Sequence, residues 1–185
     1  MNVTDPSTWR LRPAAEADAA TVAAGVAAVW NPVIRDTLFT FNSIEKSTDE
    51  IASMICDCAR QGRPFILAED ADGEIRGFAT YAQFRGGIGY ARTMEHTIML
   101  APSARGRGCG RRLMASLEDA AARAGVHSLI GGISAENPAA IAFHKALGFA
   151  PVARLPEVGY KRGRWLDLVL MQKFITAPDS VPSAR

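Results

Sequence analysis

The stretch Arg105-Gly106-Arg107-Gly108-Cys109-Gly110-Arg111-Arg112 decides how the middle of this chain folds. An apolar segment precedes it at 96–102, and apolar residues recur every three or four positions from 113 to 124. This order predicts a strand, a glycine-rich turn and a helix. Glycines let backbone N–H groups approach a ligand closely, and the first N–H groups of a helix have no internal partner and favour negative charge. The turn is therefore predicted to bind a phosphate or pyrophosphate group.

The spacing of the glycines argues against two well-known phosphate sites. No Gly-Lys-Ser or Gly-Lys-Thr occurs in the turn, which excludes a P-loop. The glycines follow the pattern G-x-G-x-G rather than G-x-G-x-x-G and lie in mid-chain, which weakens a dinucleotide-binding interpretation. A tight strand-to-helix turn with solvated arginines is the alternative that these residues alone leave open.

Composition indicates one globular domain with a sizeable core. The chain has 185 residues, of which 48% are hydrophobic and 22% charged. A formal net charge of +2 gives no reason to expect a nucleic-acid or membrane partner. Three cysteines suggest no disulfide framework and favour a reducing, cytoplasmic location. No signal pattern or apolar run of membrane-spanning length is apparent, and three scattered histidines make no metal signature.

Local signals predict the order β-α-α-β-β-β-α-β-α-β-β. An alanine-rich helix is expected over 14–29, ending before Asn31-Pro32. Ser47-Thr48-Asp49-Glu50 fits a capping box, Gly125 fits the end of the helix after the glycine-rich turn, and Asn137-Pro138 fits the start of a later helix. Strands are predicted at 9–12, 64–68, 75–84, 95–100, 126–133, 152–155 and 166–171. The ends, 1–8 and 176–185, are expected to be flexible, which leaves one mixed α/β domain over 9–175.

Two separated motifs resemble the GCN5-related N-acetyltransferase (GNAT) family. Arg105, Gly108 and Gly110 match its Arg-x-x-Gly-x-Gly pyrophosphate loop. The segment 137–149 follows its Asn-x-x-Ala-x-x-x-Tyr-x-x-x-Gly-Phe pattern, with His144 in the Tyr position. Together with 93–97 and 163–167, these motifs are similar to the phosphinothricin and methionine-sulfoximine acetyltransferase branch, and the similarity covers roughly residues 9–174.

The chain departs from the family at two places. Ile98-Met99-Leu100 stands where the family has Val-Tyr-Val, and Thr40-Phe41-Asn42 replaces Thr-x-Phe-Glu. The resemblance implies the GNAT fold, a mixed sheet of about seven strands flanked by about four helices. It also implies acetyl transfer from acetyl-CoA to the α-amine of a small amino-acid analogue by direct attack in a ternary complex, herbicide or antibiotic resistance, and a homodimer. Alternatives are another amine (an antibiotic or a protein N-terminus) and a non-catalytic acyl-CoA sensor. A polyamine would need an acidic site, and the arginines before Glu95 argue against it.

The resemblance assigns the cofactor residues. Backbone groups of Ile98, Met99 and Leu100 would bind the pantetheine arm, and Asn137 would bind the arm or the pyrophosphate. The pyrophosphate loop would consist of Arg105, Gly106, Arg107, Gly108, Cys109, Gly110 and Arg111. Cationic neighbours are expected to lower the pKa of the Cys109 thiol, although no partner suggests that it is a nucleophile.

Glu95 and His144 are the candidate catalytic residues. Glu95 borders an apolar strand, where burial would raise its pKa and suit it as a general base, directly or through a water. His144 lies seven residues after Asn137, hence on the same helix face, and would protonate the leaving thiolate or take the amine proton. Without the resemblance, an ordinary salt-bridged Glu and a structural His would be the simpler interpretations.

Arginines close to Glu95 are the candidates for binding the acceptor's carboxylate, because a guanidinium can bind it through two parallel hydrogen bonds. Arg85 is the first choice and Arg92 the second. Gly86, Gly87, Glu95, His96 and Thr97 would line the same side of the site. Trp30, Phe39 and Phe41 would form its wall or belong to the core.

Overall fold

Seven strands form one mixed sheet in the computed structural model, which describes residues 9–175. The predicted flexible ends lie outside these residues. In chain order the elements are β1 (Arg10–Pro13), α1 (Ala19–Asp36), α2 (Thr48–Arg60), β2 (Phe65–Glu69), β3 (Ile75–Gln83), β4 (Thr93–Leu100), α3 (Cys109–Arg123), β5 (Ser128–Ser134), α4 (Pro138–Ala146), β6 (Ala150–Lys161) and β7 (Arg164–Phe174). The predicted order of strands and helices is confirmed.

The strands run in the spatial order β1-β2-β3-β4-β5-β7-β6. Every neighbouring pair is antiparallel except β4 and β5, which are parallel. Helix α3 connects β4 to β5 and supplies the crossover that a parallel pair requires.

The helices cover both faces of the sheet and form two cores. Helices α1 and α2 pack on one face, where the core includes Val26, Ile51, Ile55, Phe65 and Phe78. Helices α3 and α4 pack on the other face, where the core includes Leu113, Met114, Leu117, Leu129 and Met171. Because side chains alternate along a strand, successive residues of β4 face different cores.

The predicted helix signals are confirmed where they rest on capping. The Ser47 hydroxyl accepts a hydrogen bond from the Glu50 N–H, and the Glu50 carboxylate accepts one from the Ser47 N–H, which completes the capping box of α2. Asn137 caps α4, and Gly125 follows α3 with φ +70°. Each signal uses a short polar side chain or a glycine whose role is local, so the sequence is enough to place it.

The bounds predicted for α1 are wrong. The helix begins at Ala19, after a 3₁₀ turn at Glu16–Asp18, and continues through Pro32 to Asp36. A proline inside a helix removes one backbone hydrogen bond and costs about 3 kcal/mol. Trp30, Val33 and Ile34 are buried beyond the predicted end, and each contributes about 1.5–3 kcal/mol by burial. Packing on the sheet therefore outweighs the proline.

Among residues 9–175, one helical stretch, Glu16–Asp36, is long and apolar enough to cross a membrane by length and composition. The expectation that no run reaches that length is corrected on this point. Its residues Val22, Ala23 and Val26 are buried in the core against the sheet. The stretch is thus placed as a core helix of the domain.

The last hairpin is longer than predicted. Strands β6 and β7 have 12 and 11 residues, against the predicted 152–155 and 166–171. Their register shifts between Leu155 and Gly159, and Glu157 has a φ of +52°. This irregular stretch interrupts the alternation of apolar and polar residues, so the pattern in the sequence underestimates the strand.

Lys161, at the end of β6, is buried and binds the end of α1. Its Nζ donates hydrogen bonds to the carbonyl oxygens of Ile34, at 2.7 Å, and Thr40, at 2.9 Å. The last carbonyls of a helix lack internal partners, so the ammonium satisfies one of them. We predict that Lys161→Met lowers the free energy of unfolding by about 2–3 kcal/mol, because the two carbonyl oxygens would lose their charged hydrogen-bond donor. Denaturant melts should show this loss, with the exposed Lys145→Met as control; equal effects of the two changes would contradict the prediction.

Candidate active site

Strands β4 and β5 separate partway along the sheet. They pair only at Thr93–Ser128, Met94–Leu129 and Glu95–Ile130. Beyond Glu95, β4 stays paired with β3 as far as Leu100, whereas β5 stays paired with β7 as far as Ser134. The two strands therefore leave a V-shaped gap, with Glu95 at its apex.

Backbone groups of Ile98 and Leu100 face this gap. The Thr93 carbonyl accepts from the Phe84 N–H, and the Ala101 N–H donates to the Arg76 carbonyl. The backbone groups of Thr93 and Ala101 therefore point toward β3. Backbone groups alternate in direction along a strand, which places Met99 toward β3 and its neighbours toward the gap. Of the three residues predicted to present backbone groups to pantetheine, Ile98 and Leu100 thus face the gap, where the Leu100 carbonyl already accepts from Arg105.

The glycine-rich turn lies at the end of β4 and opens onto the start of α3. Gly106 and Gly108 have φ values of +69° and +77°, and a Cβ at either would meet nothing within 4 Å. Backbone conformation rather than space therefore requires glycine at both positions. The Arg112 N–H donates to the Gly108 carbonyl, so the N–H groups of Cys109, Gly110 and Arg111 precede the first helical bond, as an anion site requires.

Three contacts hold the turn in place. The Trp9 indole N–H donates to the Arg107 carbonyl at 3.2 Å, and the Arg107 guanidinium lies 5.8 Å from the centre of the Trp9 ring. The Arg105 guanidinium donates to the Leu100 carbonyl at 3.3 Å. These contacts fix the backbone of the turn relative to the open edge of β4.

Cys109 is fully buried in the core beneath the turn. Burial raises the pKa of its thiol to about 11, and the charge of Arg112 opposes the rise only in part. The expected lowering of this pKa is therefore wrong. Desolvation outweighs the nearby cations because the side chain points into the core, while Arg111 and Arg112 are exposed.

Asn137 lies across the gap, between β5 and α4. Its side-chain oxygen accepts a hydrogen bond from the Ala140 N–H at 3.0 Å and so caps α4. Capping uses the oxygen and leaves the amide NH₂ as a donor. This geometry is compatible with the predicted contact to a pantetheine or pyrophosphate oxygen.

Glu95 is partly buried on the α1–α2 face of the sheet. Burial raises the pKa of its carboxyl, as predicted. A Cβ at Gly132 would lie 2.7 Å from Glu95 Oε1, so the glycine of the neighbouring strand leaves room for the carboxylate. Glu95 and Thr97 line one cavity of about 710 Å³ between α2 and the end of the sheet.

His144 lies on the opposite face and is paired with His96. Their Nε2 atoms are 2.8 Å apart, and His144 Nδ1 lies 2.7 Å from the Ala140 carbonyl oxygen. Because that oxygen can only accept, His144 Nδ1 carries the proton and His96 Nε2 donates to His144 Nε2. Burial lowers the pKa of both rings, that of His96 to about 3 with a contribution from His144, so both are neutral at pH 7.

The structure therefore separates the predicted proton carriers. Glu95 faces the cavity, whereas His144 uses both ring nitrogens within the α3–α4 side. His96 is buried in that same pair and does not line the cavity with Glu95 and Thr97, contrary to the expectation for the substrate side.

The other predicted substrate residues lie outside the cavity. Arg85, Gly86 and Gly87 are exposed in the loop between β3 and β4, where the Gln83 side-chain amide donates to the carbonyls of Arg85 and Gly87. Arg92 is exposed before β4. Phe41 packs against Gly159, where a Cβ would lie 2.5 Å from its ring.

Of the three predicted wall aromatics, Trp30 lines the cavity. Arg63 also lines it and was not predicted. No motif contains Arg63; the available signal is a lone arginine directly before Pro64 and an apolar strand. Three carboxylates of α2, those of Asp49, Glu50 and Asp57, complete the charged part of the lining.

Comparison with known proteins identifies the class. The model of the acetyltransferase (GNAT) family matches residues 30–149. The chain belongs to this family. It is an acetyl-CoA-dependent N-acetyltransferase, and acetyl-CoA is its co-substrate. Within residues 9–175, no three His, Cys, Asp or Glu side chains are grouped so that they could hold a metal ion.

Named relatives extend the similarity over most of the chain. The L-methionine sulfoximine/L-methionine sulfone acetyltransferase of Pseudomonas aeruginosa is 34% identical, over 85% of this chain and 92% of that protein. The phosphinothricin N-acetyltransferase of Alcaligenes faecalis is 30% identical, over 84% of this chain and 79% of that protein. The phosphinothricin acetyltransferase of Sinorhizobium meliloti, solved with AcCoA, has a TM-score of 0.85 and 29% identity, over 95% of this chain and 94% of that one.

Proposed function

We propose that this enzyme acetylates the α-amine of a small amino-acid analogue of the phosphinothricin, methionine sulfoximine or methionine sulfone type. One observation carries the proposal: Glu95 lies at the apex of the gap and faces a cavity large enough for such an acceptor. The names of the relatives supply the substrate class.

The residues along the gap suggest how the cofactor is bound. The N–H groups of Cys109, Gly110 and Arg111 would bind the diphosphate, Ile98 and Leu100 the pantetheine amides, and Asn137 a further oxygen. Bound acetyl-CoA supplies an activated thioester carbonyl.

Glu95 would activate the acceptor. The amine nitrogen attacks the carbonyl carbon, its proton passes to Glu95 directly or through a water, and the C–S bond breaks to release CoA. A backbone N–H facing the gap, such as that of Ile98, would donate to the carbonyl oxygen as negative charge develops. His144 remains a candidate for giving a proton to the departing sulfur, for which it would have to exchange its hydrogen bond with His96.

An acceptor screen tests this function. Release of CoA thiol should be measured with phosphinothricin, methionine sulfoximine and methionine sulfone, each at saturating acetyl-CoA. Turnover of at least one analogue, and protection of cells that express the protein, are expected. Tight CoA binding without turnover of any amine would instead support a non-catalytic sensor.

The pH dependence of kcat/KM should show an acidic limb set by Glu95. The carboxylate must be ionised to accept a proton, so the rate rises with pH and levels off above the pKa of Glu95. Because burial raises this pKa, the limb should lie above the range of an ordinary glutamate. Initial rates from pH 4.5 to 9 measure it, and a limb at or below that range would contradict the prediction.

A cationic amine is the second candidate acceptor. Asp49, Glu50 and Asp57 line the cavity, and their charge favours a positively charged ligand. The sequence alone argues against a polyamine because of the arginines near Glu95, but the structure places Arg85 and Arg92 outside this cavity. Spermidine therefore belongs in the screen, and its preferred turnover would favour this candidate.

We also propose that the enzyme is a homodimer formed through β6 and β7. Apolar side chains on these strands are more than half exposed, namely Val152, Val158, Tyr160, Trp165 and Phe174. The rings of Tyr160 and Trp165 are in contact, with centroids 5.0 Å apart, and exposed apolar clusters commonly mark a protein interface. Light scattering should give twice the chain mass for the wild type and the mass of a monomer for Trp165→Glu. The control Ile44→Glu, at another exposed apolar residue, should stay dimeric.

The three free cysteines fit the expected cytoplasmic location.

A further inference from the structure

Two hydrogen-bond donors in the wall of the cavity beside Glu95 have no partner within the described residues. They are the indole Nε1 of Trp30 and the guanidinium Nε of Arg63, both buried. Trp30 is only 7% exposed, and its ring packs on Phe78 at a centroid distance of 5.1 Å. Unpaired buried polar atoms are rare and costly, so a pair of them in one cavity calls for an explanation.

Both atoms can only donate. An indole N–H and a guanidinium have no acceptor lone pair, so neither can satisfy the other. Arg63 also makes no ion pair with the residues described at 9–175. A ligand that satisfies these two donors must therefore bring acceptor oxygens, and a negative charge would suit the guanidinium best.

The charge of Arg63 acts on the cavity lining. Burial raises the pKa of the Tyr81 phenol, and the positive charge of Arg63 counteracts this rise. Tyr81 and Glu95 line the same cavity as Arg63. The cavity thus combines Glu95, which can accept a proton from an amine, with Arg63, which can donate to a carboxylate. An α-amino acid carries its amine and its carboxylate on one carbon.

We infer that Trp30 and Arg63 bind the α-carboxylate of the acceptor while Glu95 receives the proton from its amine. The inference rests on the proposed function and names the residues that select an amino acid within it. It replaces Arg85 and Arg92 as the carboxylate ligands. The carboxylates of α2 then attract the ammonium group of the incoming zwitterion.

Steady-state kinetics with two acceptors test this assignment. Methionine sulfone carries one carboxylate, and methionine sulfone carboxamide lacks that charge. Arg63→Gln should raise KM for methionine sulfone about 10- to 100-fold, and Trp30→Phe, which keeps the ring but removes the N–H, about 3- to 10-fold. Neither change should alter KM for the carboxamide by more than about 2-fold, and Arg123→Gln, an exposed arginine on α3, should behave like wild type.

The outcomes distinguish failure of this carboxylate site from failure of the proposed function. Turnover of methionine sulfone with KM unchanged in Arg63→Gln but raised in Arg85→Gln would overturn the inference and leave the proposed function intact. An equal rise of KM for both acceptors in Arg63→Gln would also overturn it. Such a result would mean that the substitution disturbs the structure rather than a contact to the carboxylate. If wild type acetylates spermidine but no amino-acid analogue, the proposed function fails and the inference with it.

Discussion

Glu95→Gln should lower kcat by about 10²- to 10⁴-fold, the usual contribution of a general base. Glutamine has nearly the same shape, so the cavity and the gap between β4 and β5 should persist. It cannot accept the amine proton, and the acidic limb of the pH profile should disappear with the rate. Stopped-flow or steady-state thiol release at saturating acetyl-CoA and acceptor measures the loss.

Two further measurements make this result specific. CoA affinity by calorimetry should stay within about 2-fold of wild type, because the diphosphate site lies at the other end of β4. Stability at neutral pH should be unchanged or higher. A carboxyl whose pKa is raised in the folded state loses stabilising free energy as the pH rises through that pKa, and glutamine avoids this loss. A variant that keeps wild-type kcat would remove Glu95 from the mechanism.

Gly108→Asp should weaken CoA binding about 10-fold or more. Any side chain at this positive φ strains the backbone, but aspartate tolerates such a φ better than most residues, so the turn should still form at some cost in stability. Its carboxylate would then lie at the start of α3, beside the N–H groups that would bind the diphosphate, and like charges repel. Calorimetric titration with CoA gives the affinity, which should recover partly at high salt.

Matched variants distinguish charge from conformation. Gly108→Asn has the same size without the charge and should lose much less affinity. Gly73→Asp places the same residue at another exposed glycine with a φ of +81° and should bind CoA like wild type. Equal losses in Gly108→Asp and Gly108→Asn would show that backbone strain, rather than charge, accounts for the effect.

Local signals in the sequence were sufficient for much of the fold. The capping box at Ser47, the Asn137-Pro138 helix start and Gly125 each act within a few residues, so no distant contact alters them. The end of α1 depends instead on the burial of Trp30, Val33 and Ile34, with Trp30 packed on Phe78 of β3, which no window of sequence contains. Tertiary burial decided that boundary against the local preference of Pro32.

The candidate site shows the same division. The turn at 106–111 and the elevated pKa of Glu95 follow from a short stretch of chain and were predicted. The pairing of His96 with His144 joins residues 48 positions apart, and Arg63 reaches the cavity from the start of β2. Both depend on how β2, β4 and α4 are arranged in space, which the sequence pattern does not specify.

The divergence of β4 from β5 also affects stability. A sheet that parts in its middle has two inner edges whose backbone groups are only partly hydrogen-bonded, and a ligand that bridges them acts as a substitute strand. Cofactor binding should then hold the two halves of the domain together. The free energy of unfolding should rise by about 2.7 kcal/mol at a CoA concentration of 100 Kd. Hydrogen exchange should slow at Ile98 and Leu100 when CoA is added, and the whole chain should melt at a higher temperature.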